Sequence, residues 1–193
     1  MKKTCLTGAK LTAIFILINL LPSIYAQDFI LGIQYGYGTT SYFRQSDNHK
    51  TKGYMTQQAS LITGFSPYYS HLFVFSGIAY EMNRLNTSLS IPLTLRIVLG
   101  ETIRPYAEFG GYYNYLLESN TKDFAIKNDL GAKVAVGLLV NLNKHWRMDL
   151  GYNYRFGFTK ALEEEILLPL GQVLLEEYRR KSGLVCLSVK YRF

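Results

Sequence analysis

The chain has 193 residues, a formal charge of +7, two cysteines, sixteen tyrosines and one tryptophan. That is a single-domain length. Lys2, Lys3 and Lys10 lie in an N-terminal segment without acids, so the remainder carries +4, too little on an exported chain to argue for nucleic acid. Cys5 lies in that segment as well, which leaves Cys186 alone and excludes an intramolecular disulfide or a thiolate metal cluster.

Residues 1–26 read as a signal peptide: three lysines, an apolar core from Leu11 to Leu21, then Pro22-Ser23-Ile24-Tyr25-Ala26 as the cleavage region. The core falls short of the roughly twenty residues of a membrane-spanning helix. Cys5 precedes the core, which argues against a lipoprotein. The exported domain is expected over 27–193, and no other apolar run in it reaches transmembrane-helix length.

From there the apolar period is two. The first strand is predicted from Asp28 to Phe43, with Phe29, Leu31, Ile33, Tyr35 and Tyr37 on one face and Ile30, Gly32, Gln34, Gly36 and Gly38 on the other. A polar loop, Arg44 to Gly53, leads to a weaker strand near Tyr54–Ser66. After a turn at Pro67–His71, the strand Leu72–Met82 sets Val74, Ile78 and Tyr80 against Phe73, Phe75 and Glu81. A short polar loop, Asn83–Asn86, follows.

Ser88 to Leu117 is the clearest hairpin. Leu89, Ile91, Leu93, Leu95, Ile97 and Leu99 share one face, against Ser88, Ser90, Pro92, Thr94 and Arg96. After Gly100-Glu101-Thr102, Ile103, Ala107, Phe109, Tyr113 and Tyr115 alternate with Arg104, Tyr106, Glu108, Tyr112 and Asn114. Arms this long suit a tilted membrane-spanning strand of roughly nine to eleven residues, whereas a soluble strand averages about five or six. Beyond a polar loop at Glu118–Asn128, strand six places Leu130, Val134, Val136 and Leu138 opposite Gly131, Lys133 and Ala135. Asn143-Lys144-His145 turns into strand seven, where Trp146, Met148, Leu150, Tyr152 and Tyr154 oppose Arg147, Asp149, Asn153 and Arg155. A loop is predicted over Lys160–Arg180, and the last strand sets Val185, Leu187, Val189, Tyr191 and Phe193 against Leu184, Cys186, Ser188, Lys190 and Arg192.

Eight amphipathic strands, with tight turns alternating with mostly longer loops, predict an all-β fold: an eight-stranded antiparallel up-and-down transmembrane barrel of the outer membrane. Closure is dictated physically, because an open sheet edge in hydrocarbon strands backbone donors and acceptors at several kcal/mol each. The apolar faces then look at lipid, with tyrosines as interfacial girdles and Trp146 as an anchor at the periplasmic edge. Inside lies a charge network of Glu81, Arg96, Arg104, Glu108, Lys133, Arg147, Asp149 and Arg155, joined by Lys190 and Arg192, with Arg96–Glu108 as the preferred pair. Because eight strands leave an interior that side chains can fill, the network is read as a plug; the alternative is a thin anion-preferring pore.

The runs SIPLTLRIVLG…IRPYAEFGGYYNYLL, NDLGAKVAVGLLVNL…WRMDLGYNYRFGFT and VCLSVKYRF together resemble the PorT-like outer-membrane β-barrel family. The resemblance spans most of the exported chain, best from Leu89 onward, and implies an eight-stranded barrel in the outer membrane. The family's name-giving member is associated with the type IX protein-secretion machinery, and most relatives have no assigned role. A terminal Phe such as Phe193 resembles the signal read by the barrel-assembly machinery.

No catalytic constellation is expected. His71 and His145 fall in tight turns and His49 in the first external loop, at opposite ends of a barrel, so they cannot converge on one site. Phosphate-binding glycine loops and HExxH-type metal motifs are absent from the sequence, and no cofactor is implied. The Lys160–Arg180 stretch reads as two amphipathic turns interrupted at Pro169. They either fold over the barrel rim or present a docking patch to an envelope partner or to the outer leaflet. The expected role is therefore structural or accessory, in secretion or envelope assembly, with outer-membrane lipid and the assembly machinery as partners. The rival readings are a small pore, a lipid-modifying enzyme and a soluble ligand-carrying barrel.

Overall fold

Period-two alternation over twelve to twenty residues becomes, in the computed structural model, a ring of long strands. The structure describes residues 28–44, 53–66, 71–119, 124–126, 128–167 and 173–193. The expected signal peptide, His49 and Pro169 lie outside the described residues. The elements are β1 (Asp28–Arg44), β2 (Tyr54–Ser66), β3 (Leu72–Asn83), β4 (Asn86–Val98), β5 (Ile103–Ser119), β6 (Phe124–Ile126), β7 (Asp129–Asn141), β8 (Trp146–Gly157), β9 (Leu162–Leu167) and β10 (Val173–Arg192).

Eight of these, β1-β2-β3-β4-β5-β7-β8-β10, pair antiparallel in that order, and β10 returns to β1 from Ile30↔Arg192 to Arg44↔Tyr178. The ring is closed, so no ladder edge faces lipid. The two faces of every strand separate as the alternation requires. On β8, Asp149 is 2% exposed and the next residue, Leu150, 55%. Leu31, Ile33, Leu93, Phe109, Val136 and Leu187 lie on the same outer surface. Tyr35, Tyr37, Tyr80, Tyr115, Tyr152 and Tyr154 are exposed toward one end of the belt, and Trp146 and Phe193 at the other.

Three local features shape the ring. Gly151 lies under the Tyr106 ring, and a Cβ there would sit 2.1 Å from the Tyr106 hydroxyl. Gly64 does the same for Phe75, at 2.3 Å, so the large inward aromatics lie flat on glycine backbone rather than blocking the wall. The β4–β5 turn uses Gly100 at φ +79°, a left-handed conformation that glycine adopts without cost. Pro92 in mid-β4 has no N–H to give to the ladder; its carbonyl accepts from Ser76 Oγ at 3.0 Å, and the β3–β4 pairing skips that level.

Two predicted loops prove to be strand. The Lys160–Arg180 stretch is not a pair of helical turns: β9 pairs with the start of β10 from Leu162↔Tyr178 to Leu167↔Val173. The Glu118–Asn128 stretch contributes β6, which pairs with β9 through Ala125↔Glu163. This three-stranded flap continues the wall beyond the ring at the long-loop end. A strand pair that stands clear of lipid has no apolar face to satisfy, so it need not show the alternation that marks the spanning strands.

Candidate functional site: the charged lumen

The chemistry-bearing side chains of the described residues converge inside the ring, in three tiers. In the middle tier, Glu108 on β5 accepts from Arg96 Nε at 2.8 Å and Nη2 at 2.6 Å, and from Lys133 Nζ at 2.6 Å. Arg96 and Glu108 are direct register partners, so adjacent strands deliver the pair. Arg96 also reaches Asp149 on β8, which pairs in turn with Lys190 on β10. The guanidinium carbon of Arg96 lies 4.0 Å from the Tyr106 ring centroid and 4.6 Å from that of Phe75, so aromatic faces cover it where carboxylates do not.

In the next tier, toward the long loops, Glu81 on β3 takes two arginines, Arg155 from β8 and Arg180 from β10. Arg155 Nη2 also donates to Gln58 Oε1 on β2 at 2.8 Å. β3 and β8 stand four places apart in a ring of eight, so this clamp ties opposite walls. Above it, Asp129 accepts from the Tyr112 hydroxyl at 2.7 Å and from Thr159 Oγ1 at 3.2 Å. Tyr42, Leu85, Ala161 and Tyr178 pack together over this end.

The third tier is the tight-turn mouth. Asp28 accepts from Arg192 Nε at 2.7 Å and Nη2 at 2.5 Å. Arg104 Nη2 lies 3.3 Å from His71 Nδ1, which in turn lies 3.1 Å from the Val98 carbonyl oxygen. Arg147 packs against the Phe73 ring, 5.6 Å from its centroid.

All eight residues of the sequence-read network are therefore inside and buried, six of them in the middle and clamp tiers and Arg104 and Arg147 at the mouth. Sequence reasoning missed Arg180, buried and central to the clamp, because it was assigned to a loop. The signal was present: counting back by twos from Cys186 through Leu184 and Ser182 reaches Arg180. It also passed over Asp28, Asp129 and Gln58. His145 is exposed and stacks on Tyr191 at 5.4 Å, near the mouth that also holds His71. Phe193 is 65% exposed, its N–H donating to the Phe29 carbonyl at 2.9 Å, with Tyr191 at 4.9 Å and Phe29 at 5.7 Å between ring centroids. Among the described residues, no group of three His, Cys, Asp or Glu side chains could hold a metal ion.

A closed ring with charge inside and a greasy, aromatic-edged exterior has counterparts of known structure. The backbone is similar to outer membrane protein OprG from Pseudomonas aeruginosa, with a TM-score of 0.59 at 16% identity, covering 88% of this chain and 97% of that one. The fold is that of the eight-stranded outer-membrane barrels. Neisserial surface protein A matches with a TM-score of 0.56 at 14% identity over 86% of this chain and 97% of that one. The N-terminal barrel domain of Pseudomonas aeruginosa OprF matches with 0.55 at 11% identity, over 84% and 97%. At these identities the likeness is one of fold. No protein-family model matches the chain, and no curated protein matches it.

Proposed function

We propose that the chain is an integral protein of the cell outer membrane whose lumen is a plug rather than a channel, and whose role is structural or accessory in the envelope. The observation that carries the plug is the Glu81 clamp: one carboxylate holds arginines from β8 and β10, and one of those arginines also holds Gln58 on β2. Ions crossing the lumen would have to part fully buried charge pairs, which is strongly unfavourable in a low-dielectric interior. Planar-bilayer conductance at neutral pH tests this. A silent bilayer is the expected result, and steady single-channel steps would replace the plug with an anion-preferring pore.

The short turns mark the periplasmic side, as in bacterial outer-membrane barrels generally. Barrel-assembly machinery is the partner for insertion, with Phe193 as its recognition residue. The resemblance of the three sequence runs to the PorT-like family supports an accessory place in protein secretion, and the flap built on β9 is the surface offered to an envelope partner. The role proposed is non-enzymatic: His71 Nδ1 faces the Val98 carbonyl and Arg104, and His145 Nδ1 faces the Arg192 carbonyl. Cross-linking from intact envelopes, with and without residues 163–177, tests the partner; unchanged capture without the flap would remove it from the docking role.

A further inference from the structure

The outer surface along the β1–β10 seam is not evenly filled. Toward the long loops, Thr39, Ser41 and Phe43 of β1, Tyr154 of β8 and Lys181 of β10 border a notch of about 170 Å³. Lys181 stands between its register partners, Ser41 on β1 and Phe156 on β8. Its Nζ lies 3.9 Å from the Phe43 ring centroid and 5.3 Å from that of Phe156. Gly183, on the same face, keeps the notch open beneath it: the Tyr152 hydroxyl rests there, 2.1 Å from where a Cβ would stand. Deeper on the same seam, Ile33, Tyr35, Ala59, Leu61, Leu187 and Val189 border an apolar groove of about 550 Å³. Ala59, the register partner of Tyr35, is the small residue among them.

Lys181 is the decisive residue. It is half-buried, and among the described residues its contacts are aromatic rings, with no carboxylate beside it. Glu177, the nearest acid along β10, is held by Lys160. Ring faces attract and orient an ammonium without neutralising its charge. Its level is that of lipid headgroups: Gly183 pairs with the girdle residue Tyr154, and Lys181 lies two positions nearer the long loops. In the other direction, Leu187 in the groove lies six positions along β10. At about 3.3 Å per residue and a tilt near 40°, that is roughly 15 Å of depth, half of the hydrocarbon core. Notch and groove are thus spaced as the head and chain of an amphiphile that occupies one leaflet.

We propose that the β1–β10 seam holds one phosphate-bearing lipid of the external leaflet, its head on Lys181 and an acyl chain in the groove beside Ala59. The donor set decides between heads. Around the notch the Lys181 ammonium offers three N–H groups, and Thr39, Ser41 and Tyr154 add hydroxyls. A phosphate monoester presents three strong acceptor oxygens and most of two negative charges, whereas a carboxylate presents two oxygens and one charge. A zwitterionic head would bring a cation of its own beside Lys181. The proposal rests on the barrel reading above for the end that faces outward, and it holds whether or not the lumen conducts.

The exported chain, refolded in a non-ionic detergent and verified by heat-modifiable gel migration, is titrated with phosphatidic acid and read by native mass spectrometry. Saturation at one retained lipid per barrel is expected, with phosphatidylcholine and palmitate each retained at least tenfold less well. Lys181→Gln should weaken retention of phosphatidic acid at least tenfold. Ala59→Phe, which fills the groove and leaves the notch alone, should weaken it several-fold. Leu93→Phe, on the outer face of β4 across the ring, should leave it unchanged. If Ala59→Phe does not refold, Ala59→Leu serves instead, with a smaller loss in the same direction. Uptake of lipid after lipid without a stop at one, retention of phosphatidylcholine or palmitate as firm as that of phosphatidic acid, or full retention by the Lys181 and Ala59 variants overturns the proposal. A wild-type chain without the heat-modifiable shift would overturn the barrel reading first, and that failure is visible before any lipid is added.

Discussion

Glu81 and Asp28 both face arginines inside the same barrel, yet they occupy different electrostatic worlds. Glu81 lies deep, with both partners about 1–2% exposed, and each arginine it holds comes from a different, distant strand. Asp28 lies at the rim, and its partner Arg192 is partly in water. Depth makes the first arrangement a fastener, because removing either charge strands the other out of reach of solvent. Shallowness makes the second a poor fastener, because water reaches the pair. The same residue types thus hold firmly in one tier and loosely in another, and what separates them is access to water.

Four substitutions would break or sharpen that contrast. Glu81→Gln should cost most, about 3–5 kcal/mol of unfolding free energy, since Arg155 and Arg180 both lose their carboxylate. Urea unfolding in micelles measures it, and a loss under 1 kcal/mol would refute the fastener. Glu108→Gln should cost less, roughly 1.5–3 kcal/mol, because Arg96 keeps Asp149 and Lys133 alone loses its carboxylate. Asp28→Asn should cost no more than about 1 kcal/mol, as for a solvent-reached pair, and less still in high salt. Arg147→Gln should be neutral or slightly stabilising by the same assay, since it removes repulsion from Arg104 and Arg192. A large loss there would show that Arg147, packed on the Phe73 ring, holds the wall together instead.

Much of this architecture was readable in advance because a lipid-spanning strand must alternate. Leu93 beside Thr94, or Leu150 beside Asp149, announces both strand and facing, and the register partner of Arg96 followed from the tight turn at Gly100. Alternation says which side of the wall a residue faces, but not which distant residue it meets across the lumen. Glu81 and Arg155 are 74 positions apart, and only closure of the ring puts them together. Arg180 was hidden by its neighbours Arg179 and Lys181, since three basic residues in a row blur a period of two. The β9 flap was hidden for the opposite reason: outside the bilayer nothing imposes the alternation.

The seam between β1 and β10 joins the first strand of the ring to its last, with Ile30 laddered to Arg192 and Phe29 to Phe193. The opening strand of the wall therefore has no second neighbour until β10 has been made. Closure waits on the strand of the ring that is made last, and until then the earliest-made strand keeps one row of backbone donors and acceptors without its partner.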